Sequence, residues 1–537
     1  MKKFLSDNWE ILVVIALALA TAWPIFMPGY FSHHDDLQVI RIFEMRKCLA
    51  DGQIPCRWVP DMGYGNGFPI FNYYSATPYY LGAFLSYILG YIGSAKILFF
   101  IPILVGGLGM YFLAKELFGK IPGLVPAVLY IFLPYRALDT YVRGAVAESF
   151  ALAIVPFVFY FILKLSKSPS LWNFLGLTLS LFTLLTSHNI MSIFFIPILA
   201  IWAGYWLIIN KFNNFKQVIL AFILAFGLSA FFIIPAYFEK DLVQVDTLTI
   251  SHLDYRVHFV AIKQLLERFW GYGASVQGSN DGISFQIGWP HVVLVTSAIL
   301  FLRNPIAIFL FAVFAVSVFM THNKSAFIWE VVPILKYVQF PWRFLAVAGF
   351  SASLIGGFFA RKKVLAVFII LITVLLNFSY FKPEKFYPNL TDTDKLTGES
   401  WEEQQKGGIL DYLPKTASEP KIPAEKLPIV RFGEAEISNF VNKSNAWEFK
   451  AKVKTDSLIE VPVFDFPNWQ VKVGEQVYPH KTGIIGRITL DISPGEYSIK
   501  GKLNNTPIRT YANLVTVFSF ISLVGLSIYG KNSKLFG

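Results

Sequence analysis

The sequence predicts a polytopic α-helical membrane protein of about 11–13 transmembrane helices. A mostly β C-terminal domain outside the cytoplasm precedes one last transmembrane helix. Three observations carry this. Hydrophobic residues make up 55% of 537 and charged residues 15%, with 53 Phe and a mean hydropathy of +0.52. A soluble chain of this length does not need so much apolar surface. The apolar residues fall into runs of helical length whose ends carry Lys and Arg. One long segment, 381–510, is polar and alternates with period two.

The runs lie at 9–28, 95–115, 120–135, 147–164, 170–187, 190–210, 217–237, 288–303, 305–320, 341–360, 364–380 and 511–530. The first, after Met1-Lys2-Lys3, is too long for a typical signal-peptide core. It lacks a small-residue cleavage site, so it is read as an uncleaved anchor. Orientation follows from the basic residues. Lys2/Lys3, Lys115/Lys120, Lys164/Lys167, Lys211/Lys216, Arg303, Arg361/Lys362/Lys363 and Lys531/Lys534 are all cytoplasmic if an odd number of crossings separates 29 from 115. Residues 78–93 then form a juxtamembrane or re-entrant helix on the outer side. The net charge of +11 is thereby explained by topology, and no nucleic-acid partner is expected.

The outer face collects 29–94, the short loop 136–146, the long loop 238–287 and the segment 381–510. The domain reading is a transmembrane domain over 1–380, a β-rich extracytoplasmic domain over 381–510 and an anchor over 511–537. In the β segment, 447–453 and 486–492 alternate, with turns at Pro467-Asn468 and Pro494-Gly495. Cys48 and Cys56 are the only cysteines. In an oxidising compartment they could pair, and two unpaired thiols fit the sequence equally.

Candidate chemistry gathers in the outer segments. Asp35 and Asp36 follow His33-His34 directly above a membrane helix, where acids are costly unless used. Capping of the next helix is the competing reading. Gln38, Arg41, Glu44, Lys47 and Asp51 recur as on an amphipathic interfacial helix. Arg57, Trp58, Tyr64, Tyr74 and their neighbours offer stacking surfaces and hydrogen-bonding edges for a sugar or headgroup, or equally a membrane-interface belt. Asp139, Arg143 and Glu148 occupy the second outer loop, and Arg343 follows Gln339-Phe340-Pro341-Trp342. An Arg at the outer surface suits a phosphate, and a snorkelling Arg is the plainer alternative. His188 interrupts two apolar runs, a position more often structural than catalytic. The stretch 238–287, amphipathic from Phe259 to Trp270, reads as an ordered lid over an outer cavity.

Several of these motifs are familiar. His34-Asp35-Asp36 with Arg41-Ile42, Gly52-Gln53-Ile54-Pro55, Arg57-Trp58, Gly63-Tyr64-Gly65, Phe68-Pro69, Gln339 to Phe344 and Asp411-Tyr412-Leu413-Pro414 resemble the membrane family labelled 6-pyruvoyl-tetrahydropterin synthase-related. The label does not describe an activity, because no feature of a soluble pterin synthase is present. The architecture also resembles the GT-C class of glycosyltransferases. That resemblance implies a sugar taken from a polyprenyl-phosphate or pyrophosphate donor and an acidic residue of the first outer loop acting as base or metal ligand. By position Asp35 and Asp36 match that acidic pair. The second loop has no Asp-x-Asp, so a metal-independent enzyme without a cofactor is favoured over one holding a divalent metal.

The expectation is therefore an integral, multi-pass glycosyltransferase of the cytoplasmic membrane with its active site on the extracytoplasmic face. Asp35 and Asp36 would be catalytic. Arg143 and Arg343 would bind the donor phosphate. His34, Arg57, Trp58, Tyr64, Tyr74, Glu148 and His188 would contact substrate. The acceptor is a lipid, a glycan or a protein, and membrane lipids surround the spans. The competing reading is a non-enzymatic lipid-linked glycan flippase or export component, which should carry ionisable residues along the midplane of several spans.

Overall fold

Five helices in the computed structural model are long and apolar enough to cross a membrane alone: Thr77–Phe118, Val146–Lys167, Asn189–Ile209, Lys363–Tyr380 and Pro507–Ile528. The structure describes residues 8–301 and 303–529. Lys2, Lys3, Lys531 and Lys534, used above for orientation, lie outside the described residues. Three bent pairs also pass when each is taken as one span, which raises the number to eight. They are Lys120–Ile131 with Pro134–Arg143 (42°), Phe215–Leu228 with Ala230–Phe238 (65°) and Pro305–Thr321 with Asn323–Val331 (93°).

Length and composition alone pass five to eight spans among the described residues, because several of the expected runs are broken or short. Trp9–Thr21, Leu171–Ser187 and Trp289–Leu300 are apolar but shorter. The physical reason is local breaking of the runs. Leu133 is extended before Pro134, as a residue before proline prefers to be. Ser229, at the 65° bend, turns its hydroxyl back onto the Ala225 carbonyl at 2.8 Å, a contact that bends helices. The run 341–360 is divided among a 3-10 turn, the helix Leu345–Ile355 and a second 3-10 turn. Every residue of Leu345–Ile355 is buried, so protein rather than lipid surrounds it.

Residues 77–118 form two helices joined at Gly90, whose φ of +68° and ψ of −177° only glycine adopts freely. The free amides of the second half, Tyr91 N and Ile92 N, each donate to the Asp392 carboxylate at 2.8 Å. The first half exposes Phe84, Tyr87 and Ile88 and ends where the break re-aims the chain into the span.

The segment after the first helix is more buried than its amphipathic pattern predicts. Gln38–Ala50 is helical as expected, but its polar face is covered: Gln38, Arg41 and Glu44 are all buried. Glu44 Oε1 accepts from Asp61 N and Met62 N at 2.9 and 3.0 Å, which folds the following loop over the helix. Cys48 and Cys56 are joined by a disulfide, which closes the alternative of two free thiols.

Strand β1 (Tyr30–Phe31) pairs antiparallel with β2 (Phe386–Tyr387), tying the polar C-terminal segment to the chain just after the first helix. Short helices follow at Asp392–Leu396 and Gly398–Lys406, with a 3-10 turn at Ile409–Asp411. Nine further strands form two antiparallel sheets: β3 (Ile429–Phe432), β4 (Ala435–Asn442), β5 (Ala446–Val453), β6 (Ser457–Phe464), β7 (Trp469–Val473), β8 (Gln476–Tyr478), β9 (Lys481–Thr482), β10 (Arg487–Ile492) and β11 (Gly495–Leu503). Their orders are β3-β6-β10-β9 and β4-β5-β11-β7-β8. Trp447, Phe449, Ala451 and Val453 alternate inward along β5 and share one core with Val461, Ile488 and Leu490 of the other sheet. Strand β6 is buried over nearly its whole length, because the loop around Asn66 packs on its far side: Phe464 N donates to Asn66 O at 2.7 Å and Arg487 Nε to Asn66 Oδ1 at 2.7 Å.

Candidate active site

A cavity of about 1420 Å³ opens between the spans, the 240–283 segment and the turn at Asp411. One wall is apolar, built by Ile190, Ile193, Ile196, Pro197, Phe226 and Ile233. The other end is polar. Seven of the eleven sequence-predicted site residues line it: His34, Asp35, Tyr74, Arg143, Glu148, His188 and Arg343. The expected lid is a wall of this cavity, contributing Val243, His252, His258, Ser275 and Ile283 among others.

The polar end is held in register by backbone pairing. His34 N donates to Val142 O and Asp35 N to Arg143 O, both at 2.9 Å, so the two segments are tied together at the cavity. The stretch 136–146 is not an open loop. Pro134–Leu138 runs into a π turn at Asp139–Arg143, and Gly144 then reverses the chain at φ +69° with the His33 ring against it. A π turn aims side chains that an α-helix would carry elsewhere and is frequent at functional sites.

That aim produces a buried charge cluster. Arg143 pairs with Asp139 and, at 3.0 Å, with Glu148. Its guanidinium lies 4.7 Å from the Trp342 ring centre. Arg343 Nη1 donates to Val338 O at 2.8 Å and to Gln339 Oε1 at 3.2 Å. Its Nε stands 3.5 Å from Glu148 with no hydrogen-bond partner. Two arginines face two carboxylates, so both are partly satisfied within the protein, and Arg343 is the one with a donor left over. His188 Nδ1 accepts from Met191 N at 3.2 Å and caps the next helix, a structural task that leaves its ring on the cavity wall.

The two neighbouring aspartates separate. Asp35 faces the cavity, its Oδ2 accepting from Arg41 Nη1 at 2.7 Å and from Gln38 Nε2 at 3.3 Å. Asp36 turns away to pair with Lys395 of the C-terminal segment. Neither caps the helix, whose N-cap is Leu37 without a side-chain bond. Arg41 is itself buried against Tyr74, 4.5 Å from its ring centre.

Three predicted contacts lie elsewhere. Arg57 donates to Asn72 at 2.9 Å, Phe231 O at 3.0 Å and Asn513 at 2.9 Å. It belongs to a buried network in which Glu239 accepts from Arg509 Nε at 2.8 Å and Asn72 Nδ2 at 3.1 Å. Burial, with Arg509 beside it, lowers the Arg57 pKa to about 10. Trp58 packs on Phe466 and Trp469 beneath the β sandwich. Tyr64 meets Glu402 at 3.3 Å and the Lys406 ammonium.

Sequence reasoning missed one acid. Asp411 lines the cavity beside Asp35, and burial, against the pull of Arg41, raises its pKa to about 6. The available signal was an Asp in a short apolar run, Ile409-Leu410-Asp411-Tyr412-Leu413, inside an otherwise polar tract. Among the described residues no three His, Cys, Asp or Glu side chains group as a metal site.

Comparison with known proteins gives a family and two distant shapes. The arabinofuranosyltransferase AftD from Mycobacteria is 13% identical with a TM-score of 0.43, over 73% of this chain and 28% of that one. An Archaeoglobus fulgidus oligosaccharyltransferase, tethered to an acceptor peptide, is 13% identical with a TM-score of 0.36, over 79% of this chain and 61% of that one. The chain therefore spans less than two thirds of either. No curated protein matches it. Residues 71–383 match the family model described as 6-pyruvoyl-tetrahydropterin synthase related domain; membrane protein, and the chain belongs to that family.

Proposed function

We propose that the protein is a membrane glycosyltransferase that moves a sugar from a polyprenyl-phosphate-linked donor to a hydroxyl acceptor at the extracytoplasmic face. The observation that carries this is one continuous cavity with an apolar wall and a polar end bearing arginines and a carboxylate. A lipid-linked anion needs that pairing: hydrocarbon along the Ile190–Ile196 side, phosphate at the buried guanidiniums. Arg343, which lines the cavity and meets Glu148 only at 3.5 Å, makes the first phosphate contact, and Arg143 stabilises the charge developing on the leaving phosphate. Asp35 draws the proton from the acceptor hydroxyl. Asp36, paired to Lys395 away from the cavity, holds the C-terminal segment in place.

Helix polarity supports the outer placement. Val146–Lys167 has Glu148 at its cavity end and Lys164 and Lys167 at the other. Asn189–Ile209 begins beside His188 and runs toward Lys211. Both spans point their basic ends away from the cavity, the arrangement expected when those ends are cytoplasmic.

The test is transfer by the purified full chain in nanodiscs, offered a panel of polyprenyl-phosphate sugars with water as the fallback acceptor. Asp35→Asn should lose about 10²- to 10⁴-fold, and Asp36→Asn much less. Full activity of Asp35→Asn with the best donor would remove the carboxylate mechanism. A parallel series with chelator tests metal dependence.

A further inference from the structure

We infer that Asp411, contributed by the C-terminal segment, is where the acceptor proton comes to rest, so that the cavity works with a carboxylate pair drawn from two parts of the chain. The inference rests on the transfer reading above and assigns the proton's route within it.

The two carboxylates differ in what holds them. Asp35 is the counter-ion of Arg41, bound at 2.7 Å, and Arg41 is buried. Protonating Asp35 would leave a desolvated guanidinium without its partner, the costly half of breaking a buried pair. Asp411 has no such tie. No side chain or backbone group donates to its carboxylate among the described residues, and one of its oxygens folds back over Gly408, whose φ is +66°. The charged groups facing it are Arg41 and Asp35 of the first outer segment. The acid on the adjoining 3-10 turn, Asp246, lies near Lys415 at 3.8 Å instead. Between two like charges, the proton settles on the one whose neutralisation removes repulsion and strands no cation. That is Asp411. Its pKa of about 6 agrees, and it lies near the pH at which a proton must be both taken and released.

The step balances without a redox partner. The acceptor oxygen bonds to the anomeric carbon as the bond from that carbon to the phosphate oxygen breaks. The electron pair leaves on the lipid phosphate, against Arg343 and Arg143. The hydroxyl proton passes to Asp35 and on to Asp411, then to water. Placing Asp411 on the short turn Ile409–Asp411 makes the cavity incomplete until the C-terminal segment docks, which gives β1–β2 pairing and the Asp36–Lys395 bridge a reason to exist.

The experiment uses the full chain in nanodiscs with undecaprenyl-phosphate sugars and water or a simple glycoside as acceptor, from pH 5 to 8. For the wild type the rate should fall below about pH 6. Asp411→Asn should lose roughly 10- to 1000-fold and also lose that acidic limb. Asp411→Glu should recover part of the rate and restore a limb at a shifted position. Infrared titration of the same samples reads the carboxylic acid directly, without any donor: a protonated carboxyl band that titrates near pH 6 should vanish in Asp411→Asn. Wild-type transfer with an unchanged rate and limb in Asp411→Asn overturns the inference and leaves the transfer reading standing. Absence of the band, or its persistence in Asp411→Asn, overturns it as well. If no donor is turned over by the wild type, the transfer reading falls and the proton route falls with it, whatever the band shows.

Discussion

Glu239 sits where the bent span Phe215–Phe238 ends, and its carboxylate is enclosed by Arg509 at 2.8 Å, Asn72 at 3.1 Å and the Thr506 hydroxyl. Glu239 and Arg509 are both almost fully buried, and Arg57 approaches the same centre through Asn72. Changing Glu239→Gln removes the one acid and leaves two guanidiniums facing each other. At an effective dielectric near 20, a pair at that distance is worth about 6 kcal/mol of Coulomb energy. Desolvation returns part of it, so a net loss of about 3–5 kcal/mol is expected. For a chain of this size that is a fall on the order of 5–10 °C in apparent Tm, at about 2 °C per kcal/mol. The assay is thermal unfolding in detergent, followed by monodisperse peak height on size exclusion. The same substitution in an Arg509→Met background should cost much less, because the second cation has gone. A Glu239→Gln shift below about 1 °C, or full additivity of the two changes, would refute the view that this network bolts the last helix to the cavity wall.

Three further outcomes follow from the geometry. Asp392→Ala strips both amides at the Gly90 break of their acceptor and should cost about 1–3 kcal/mol, read as a lower Tm with the donor KM unchanged. Gly144→Ala builds a methyl 2.6 Å from the His33 ring at a φ of +69°. It should displace the tether that holds Asp35 and lower transfer at least tenfold while most of the protein still folds, as measured by rate per folded molecule. Arg343→Gln removes the guanidinium with the spare donor and should raise the donor KM about 10- to 100-fold, the size of one hydrogen bond to a charged group. Arg343→Lys recovers only part of this because its point charge lacks the planar fork.

Much of the fold was legible because membranes impose a simple rule on sequence. Runs of Leu, Ile and Phe mark helices wherever hydrocarbon or protein must surround them, and the 447–453 alternation marked β5 for the same reason in a sheet. Where those runs break was not legible. A run such as 217–237 has the composition of one straight helix, yet it bends by 65° beside Ser229, whose hydroxyl bonds back to the Ala225 carbonyl. The helix Gln38–Ala50 failed in the opposite sense. Its charged face has the pattern of an exposed one, but Glu44 finds two backbone amides in the next loop, and burial becomes affordable only once that loop has folded.

The site divides along the same line. Asp35, Arg143, Glu148, His188 and Arg343 stand at the ends of apolar runs, where capping, snorkelling and structural roles compete with a functional one, and the fold brings all five to the cavity. Arg57, Trp58 and Tyr64 carry equal chemical promise in the sequence, and nothing local separates them from ligand contacts. Their partners are Asn513, Trp469 and Glu402, hundreds of residues away, and a side chain's role here is decided by what arrives opposite it. Asp411 shows the converse. It is an acid to which nothing donates among the described residues, set on a turn that the C-terminal segment brings to the cavity. A half-buried carboxylate that lines the cavity with no donor among the described residues is explained most simply by the proton it is there to hold.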